Sequence, residues 1–203
     1  MKLYYSPGAC SLSPHIALRE AGVKFELVKT VLQTHTLAED GSDYYQVTAK
    51  GQVPLLELDD GARLSEGPVI LQYIADHAPG AGLVPAAGTA ARYRVLEWLN
   101  FITSELHKGF SPLFNGKMPQ DAKEMFAAKL MDKYAFVDAR LEGKDYLMGT
   151  QFSIADAYLF TVTNWAAGVG ADLAGFKNLQ AFIARMKARP AVQEAMKAEG
   201  LLK

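Results

Sequence analysis

The chain has one cysteine, Cys10, set in Tyr4-Tyr5-Ser6-Pro7-Gly8-Ala9-Cys10-Ser11-Leu12-Ser13-Pro14-His15. Pro7 and Gly8 are turn residues that stop a strand at Tyr5. Ser11 and Ser13 are N-cap types, and Pro14 belongs in the first turn of a helix. Leu12, Ile16 and Arg19-Glu20 continue at helical spacing until Gly22 ends the helix. This order places Cys10 at a helix N-terminus, where unpaired N–H groups and the positive dipole end favour a thiolate. The competing reading is a buried structural cysteine. The polar, loop-like flanks favour the reactive thiol. Cys10-Ser11-Leu12-Ser13 is C-x-x-S, so no second cysteine can resolve an oxidised Cys10 and a dithiol oxidoreductase is disfavoured. Two roles stay open: a thiolate that forms a mixed disulfide with a small thiol, or one that only polarises such a thiol.

Three further stretches carry chemistry. Val53-Pro54 enters a strand, and proline is confined to strand starts and edges. It reads either as a trans edge proline or as a cis proline that turns the Val53 backbone toward a peptide-like ligand. Ser65-Glu66-Gly67-Pro68 puts a carboxylate at a helix start. Glu66 either complements the dipole, worth ~0.3–1 kcal/mol, or receives a ligand ammonium group while adjacent N–H groups take its carboxylate. Asn100, Thr103, Ser104, His107 and Ser111 fall at i, i+3, i+4, i+7 and i+11, one face of a long helix. The face is polar but mostly uncharged, which suits a partly enclosed cleft. His107 and Lys108 could place donors or positive charge near a thiolate, although a lone helical His is commonly surface or core. His15 and His35 lack partners at metal-ligand spacing. Tyr158 and Trp165 are most simply core, with the lining of an apolar pocket as the alternative. No P-loop, G-x-G-x-x-G or H-E-x-x-H occurs.

The elements that must position these residues fall into two blocks. Residues 1–78 alternate strand and helix: Lys2–Tyr5, the Cys10 helix, a half-buried strand over 23–30, an irregular loop over 31–41 and a short helix over 43–47. A hairpin through Asp59-Asp60-Gly61 follows, then a helix from Ser65 with Pro68 at its first position and an apolar stripe of Val69, Ile70, Tyr73 and Ile74. This β-α-β-(α)-β-β-α string is the thioredoxin-like order, an α/β domain with a mixed sheet. Residues 79–88, rich in Pro and Gly, form the linker. Residues 89–203 form an all-α domain. Its first helix is capped by Thr89, faces the core with Tyr93, Leu96, Leu99, Ile102 and Leu106, and is interrupted by Pro112. A helix over 120–141 follows. Ser153 and Asp156 form a capping box, worth ~1 kcal/mol, for the next helix. Helices over 178–187 and 191–199 close the chain.

Composition bounds the function. The 203 residues are 50% apolar and carry a net charge of −1, with Lys+Arg 21 against Asp+Glu 22. There is no basic footprint for nucleic acid and no membrane span or signal-peptide h-region. One cysteine excludes an internal disulfide and a thiolate-rich metal site. A reducing, cytoplasmic location is expected.

The opening run K-L-Y-Y-S-P-G-A-C-S-L-S-P-H resembles the bacterial beta-class glutathione S-transferases. So do Gly51-Gln52-Val53-Pro54, Ser65-Glu66-Gly67, Trp98-Leu99-Asn100-Phe101, Ser104-Glu105-Leu106-His107-Lys108, Phe110-Ser111-Pro112-Leu113-Phe114, Ala155-Asp156-Ala157-Tyr158-Leu159-Phe160 and the closing Glu199-Gly200-Leu201-Leu202-Lys203. The matches run through essentially the whole chain in order. The resemblance implies a detoxifying transferase that works as a homodimer, with glutathione as co-substrate, no metal and a small hydrophobic electrophile. It places glutathione in a cleft between the domains with its sulfur at Cys10, often as a mixed disulfide. Val53 pairs with the glutathione backbone before a cis Pro54, and Glu66 and Gly67 hold the γ-glutamyl end. Asn100 and the run Ser104, Glu105, Leu106 and His107 border the site, with Glu105 serving the neighbouring subunit's ligand and His107 and Lys108 near the sulfur. It also implies peroxidase and thiol-transferase activity, and for some members reductive dehalogenation. Two departures bear on glutathione affinity. Thr34-His35-Thr36 stands where members commonly carry a Lys for a glutathione carboxylate, in a loop lengthened around 37–40, and Thr48-Ala49 replaces Asn-Pro. A glutathione-binding or ligand-carrying protein with little turnover shares every one of these motifs.

Overall fold

The computed structural model describes residues 1–202; Lys203, the end of the family-like closing run, lies outside the described residues. The backbone divides into two compact units, Met1–Val84 together with the chain from Arg189 onward, and Pro85–Ala188.

The first unit is built on a five-stranded sheet in the order β3-β2-β1-β4-β5, with β1 (Lys2–Tyr5), β2 (Glu26–Val31), β3 (Thr36–Leu37), β4 (Leu55–Glu57) and β5 (Arg63–Ser65). β1 runs parallel to β2 and antiparallel to β4, so Leu55 lies opposite Tyr4. Central β1 buries Leu3, Tyr4 and Tyr5, as a strand covered on both faces must. Tyr4 packs with Tyr44, Val53 and Leu55. α1 (Leu12–Glu20) buries every residue from Leu12 to Leu18 and packs against α2 (Gly67–His77). This is the expected thioredoxin-like arrangement. It carries one addition: part of the anticipated 31–41 loop forms β3, pairing Thr36 with Val31 and Leu37 with Thr30. Pro68 is the second residue of α2 rather than the first. The stripe of α2 is also rotated from the expected one. Val69 is 46% exposed, while Ile70, Leu71, Ile74 and Ala75 are buried. α2 is apolar around much of its surface, so its periodicity does not select the inward face.

The helical block reads as continuous to the end of the chain, yet its last helix, α8 (Pro190–Ala198), belongs to the first unit and packs on α1. Arg189 grips Glu20 through Nε at 2.6 Å and a terminal nitrogen at 2.9 Å. Glu194 and Glu199 reach Arg19 and His15. Helical periodicity carries no information about which partner a helix chooses; here the buried Val192, Ala195 and Met196 together with these long-range ion pairs hold α8 in the first unit.

The second unit contains α3 (Ala90–Phe101), α4 (Lys108–Phe114), α5 (Gln120–Leu141), α6 (Ile154–Thr163) and α7 (Lys177–Ala188). Thr89 caps α3 by accepting the Arg92 N–H at 3.2 Å. α6 is buried along its whole length, as a central helix that is apolar all round must be. The Ser153–Asp156 capping box is formed. Asp156 also accepts the Leu147 N–H at 2.8 Å, which ties the preceding loop to α6. Pro112 does not break the chain's path, because α4 runs through it to Phe114. The irregularity lies upstream, where Ile102–His107 widens into a π-helical turn closed by Lys108 N–H to Thr103 C=O. Tyr93, expected in the core, is 62% exposed, and Val95 is buried in its place beside Leu99.

Candidate functional site

The loop from Ser6 to Ser11 carries Cys10 between β1 and α1. Ser11 stands at the N-cap of α1 but makes no side-chain cap bond. Its hydroxyl closes the loop instead, accepting the Ser6 N–H at 3.2 Å and donating to the Ser6 carbonyl at 3.3 Å. Gly8 takes φ +71°, a conformation that costs glycine no Cβ clash. Cys10 directly precedes the cap, and its carbonyl accepts the Ser13 hydroxyl at 2.8 Å. The half-buried Cys10 thiol donates to the Val53 carbonyl at 3.2 Å. The register of β4 on β1 makes this contact possible: Leu55 pairs with Tyr4, so Val53, just before β4, falls beside the loop that follows β1. The Val53-Pro54 bond is cis.

Glu66 lies at the other end of this patch. β5 pairs Ser65 with Leu55, and a Cβ on Gly67 would stand 3.8 Å from the Pro54 ring. Glu66 has φ +71°, the left-handed region that a non-glycine residue adopts at an energetic cost and that is concentrated at functional sites. Its exposed carboxylate meets Lys50 Nζ at 2.6 Å. Cys10, Val53, Pro54, Glu66 and Gly67 thus form one chain of neighbours: a sulfur, a strand edge and a carboxylate at a helix start.

His35 is held differently. It has φ +52°, its Nδ1 lies 3.0 Å from the Gly51 carbonyl, and its ring lies 4.7 Å from Tyr45. A carbonyl only accepts, so Nδ1 carries the hydrogen of that bond and Nε2 donates only in the imidazolium form.

In the second unit the anticipated polar face is divided. Hydroxyls of Thr103 and Ser104 bond back to the Leu99 and Asn100 carbonyls at 2.7 and 3.1 Å. The π turn changes the register between Asn100 and His107, because each of its hydrogen bonds spans one residue more than in an α-helix. Asn100, Ser104, Lys108 and Ser111 are exposed, whereas His107 is partly covered and Leu106 is fully buried. Glu105 pairs with Lys133 at 2.9 Å, which holds its carboxyl below the usual range. His107 Nδ1 lies 2.6 Å from the buried Tyr158 hydroxyl, and its ring meets Trp165 edge-on at 4.8 Å. Phe110 and Phe114 pack on the same indole. Desolvation, with the charge of Lys108 second, holds the His107 pKa down to about 4. His107 is therefore neutral at pH 7, hydrogen-bonded to Tyr158 rather than the cation that its type suggests. Tyr158 as its partner was not visible in the sequence, where a buried tyrosine on an apolar helix reads as core. Lys50 gave no signal either, since only the fold brings it to Glu66.

Among the described residues no cluster of three His, Cys, Asp or Glu side chains is arranged to hold a metal ion. No helix of the described residues is long and apolar enough to cross a membrane.

Comparison with known proteins gives consistent likenesses. The family profile described as glutathione S-transferase, N-terminal domain, matches residues 1–76, and the C-terminal domain profile matches 101–190. Glutathione S-transferase GstA of Escherichia coli O157:H7 is 49% identical over 201 residues, covering 99% of this chain and 100% of that one. The structure of BphK, a bacterial GST solved as a ternary complex, superposes with a TM-score of 0.96 at 54% identity, over 99% of this chain and 100% of that one. A sphingomonad glutathione S-transferase complexed with glutathione gives 0.94 at 48%, and the bacterial beta-class enzyme of Sphingomonas chungbukensis gives 0.95 at 46%; each covers 100% of both chains.

Proposed function

The chain belongs to the glutathione S-transferase family, in its bacterial beta class, and is a transferase; from that premise we propose that Cys10 is the residue that meets the sulfur of glutathione. The observation that carries this reading is the 3.2 Å contact between the Cys10 thiol and the Val53 carbonyl, which puts the sulfur beside the strand edge. A tripeptide pairing with the Val53 backbone before Pro54 acts as an added strand. Glu66 then takes the γ-glutamyl ammonium group and the Gly67 N–H its carboxylate. His35 faces the opposite carboxylate, donating from Nε2 when protonated. In conjugation the glutathione thiolate forms the S–C bond to the electrophile, and the leaving group departs with the electron pair. In thiol transfer the Cys10 thiolate attacks the glutathionyl sulfur of a mixed disulfide of glutathione with another thiol, releasing that thiol as its thiolate; a glutathione thiolate then attacks the Cys10–glutathione disulfide, freeing Cys10 and forming glutathione disulfide.

The helical unit is assigned the small apolar or aromatic electrophile, on the strength of Trp165, Phe110 and Phe114 around His107. His107, with Tyr158 donating to Nδ1, presents its Nε2–H as a neutral donor, and Lys108 supplies positive charge. Asn100, Ser104, Glu105 and Leu106 border this side. Glu105 reaches a neighbouring subunit's glutathione only by leaving Lys133. The homodimer is supported by an open groove of about 530 Å³ lined by Trp98, Phe101, Phe136 and Arg140, the kind of apolar surface that marks an interaction site. A single cysteine, in no disulfide, fits the reducing cytoplasm, where the enzyme would detoxify such electrophiles.

Conjugation, peroxidase and disulfide-exchange rates of wild type and Cys10→Ala test the reading. Loss of exchange and a drop of about tenfold or more in conjugation, about 1.4 kcal/mol in the barrier, are expected. Undiminished rates in the variant refute it. Glutathione binding with no turnover in any assay would make the chain a carrier. Sedimentation at micromolar concentration tests the dimer.

A further inference from the structure

Both oxygens of the buried Glu199 carboxylate are committed within the first unit: Oε1 meets His15 Nδ1 at 2.8 Å, and Oε2 accepts the Gly8 N–H at 2.9 Å. On the far side of His15, Arg19 Nε donates to Nε2 at 3.0 Å. A guanidinium has no acceptor, so Nε2 is the accepting nitrogen and Nδ1 carries the hydrogen given to Glu199. The fully buried His15 is thus locked in one tautomer between a cation and an anion. A methyl of Leu201 lies 3.4 Å from the point where a Cβ on Gly8 would stand. Gly8 belongs to the short loop that carries Cys10. That loop is tied locally by the Ser11 hydroxyl and, at Gly8, by a carboxylate 191 residues further along the chain.

We propose that Glu199 is a positioning residue for Cys10: by holding the Gly8 N–H it fixes where the Cys10 sulfur stands during glutathione transfer. This rests on the reading of Cys10 given above. A hydrogen bond to a carboxylate is the strong, short kind, and losing the carboxylate takes this acceptor from both the Gly8 N–H and His15 Nδ1. Displacement of a reacting group by about 1 Å can cost on the order of 10²-fold in rate. Binding of the glutathione peptide is assigned to Val53 and Glu66, which lie outside this loop. The signature of Glu199 is therefore a kcat effect at nearly constant KM for glutathione.

Glu199→Gln keeps the side-chain volume but offers one acceptor oxygen to two donors. Its kcat is expected to fall about tenfold, with glutathione KM within about twofold. The rate of Cys10 alkylation by iodoacetamide, read by intact mass on the chain's one cysteine, shifts several-fold. Arg189→Ala removes a different tie between the same tail and α1. It lowers the melting temperature but leaves kcat and alkylation at wild-type values. A Glu199→Gln protein with a lower melting temperature and unchanged kcat and alkylation would overturn the proposal, leaving a structural staple. If Glu199→Gln does not fold, Leu201→Ala takes its place, with a smaller drop in kcat and shift in alkylation expected and unchanged values overturning the proposal. Cys10→Ala, run in parallel, separates the two claims. Undiminished conjugation there removes Cys10 from the chemistry, while the alkylation rates still report whether Glu199 sets the sulfur's position.

Discussion

Lowering the pH puts a proton on His107 only against its surroundings. Burial beneath Trp165 and Tyr158, with Lys108 adjacent, holds its pKa near 4 against an ordinary 6.5. The folded state therefore refuses a proton that the unfolded chain accepts. For a group whose folded pKa is depressed, the unfolded state binds more protons between the two values, so stability is lost as pH falls from about 6.5 toward 4 and changes little further below. The gap of about 2.5 units corresponds to roughly 3 kcal/mol at pH 4, a large fraction of the 5–15 kcal/mol typical of a folded domain. Urea unfolding at pH 7, 6, 5 and 4 on wild type and His107→Asn isolates this contribution, because other titrating groups act equally on both. The stability of wild type relative to the variant should decline by about 3 kcal/mol across the series. Direct titration of the ring by nuclear magnetic resonance should give a midpoint near 4. A midpoint near 6.5, or parallel pH profiles for the two proteins, would refute the claim that His107 works as a neutral donor.

Asp156→Ala strips acceptors from the Ser153 and Leu147 N–H groups and from the Ser153 hydroxyl; a loss of about 3–5 kcal/mol is expected by denaturant titration. At Gly51 (φ +58°) a Cβ would meet the Tyr45 ring at 2.6 Å and the His35 ring at 2.8 Å. Gly51→Ala should therefore cost about 1–3 kcal/mol and displace His35, read as a lower melting temperature together with a raised glutathione KM. Glu66→Ala should change stability by less than about 0.5 kcal/mol, its ion pair with Lys50 being exposed, yet raise the glutathione KM about tenfold with kcat nearly constant. An unchanged KM would return Glu66 to the role of a dipole-complementing carboxylate.

The sequence discloses what is local. Pro7, Gly8, Ser11 and Pro14 announce the loop and helix around Cys10, and the hairpin, the Thr89 cap and the Ser153–Asp156 box each lie within a few residues of their partners. The thioredoxin-like order follows from these pieces. What the sequence withholds is long-range pairing. Tyr158 meets His107 across 51 residues, Lys50 meets Glu66 across 16, and Glu199 meets Gly8 across 191. None of these pairs has a periodic signature. The π turn at Ile102–His107 is hidden for a different reason: residues at α-helical spacing look the same whether or not a turn is widened. The polar face from Asn100 to Ser111 therefore reads as continuous although the backbone divides it. α8 joins the first unit through the buried Val192, Ala195 and Met196 and through partners for Glu20, Arg19 and His15 far along the chain, which no local pattern encodes.

Intact-protein mass spectrometry after incubation with glutathione disulfide tests the placement of the sulfur most directly. The account predicts a single glutathione adduct per chain, removed by dithiothreitol and absent from Cys10→Ala. An unmodified wild-type chain that still conjugates glutathione at full rate would contradict it.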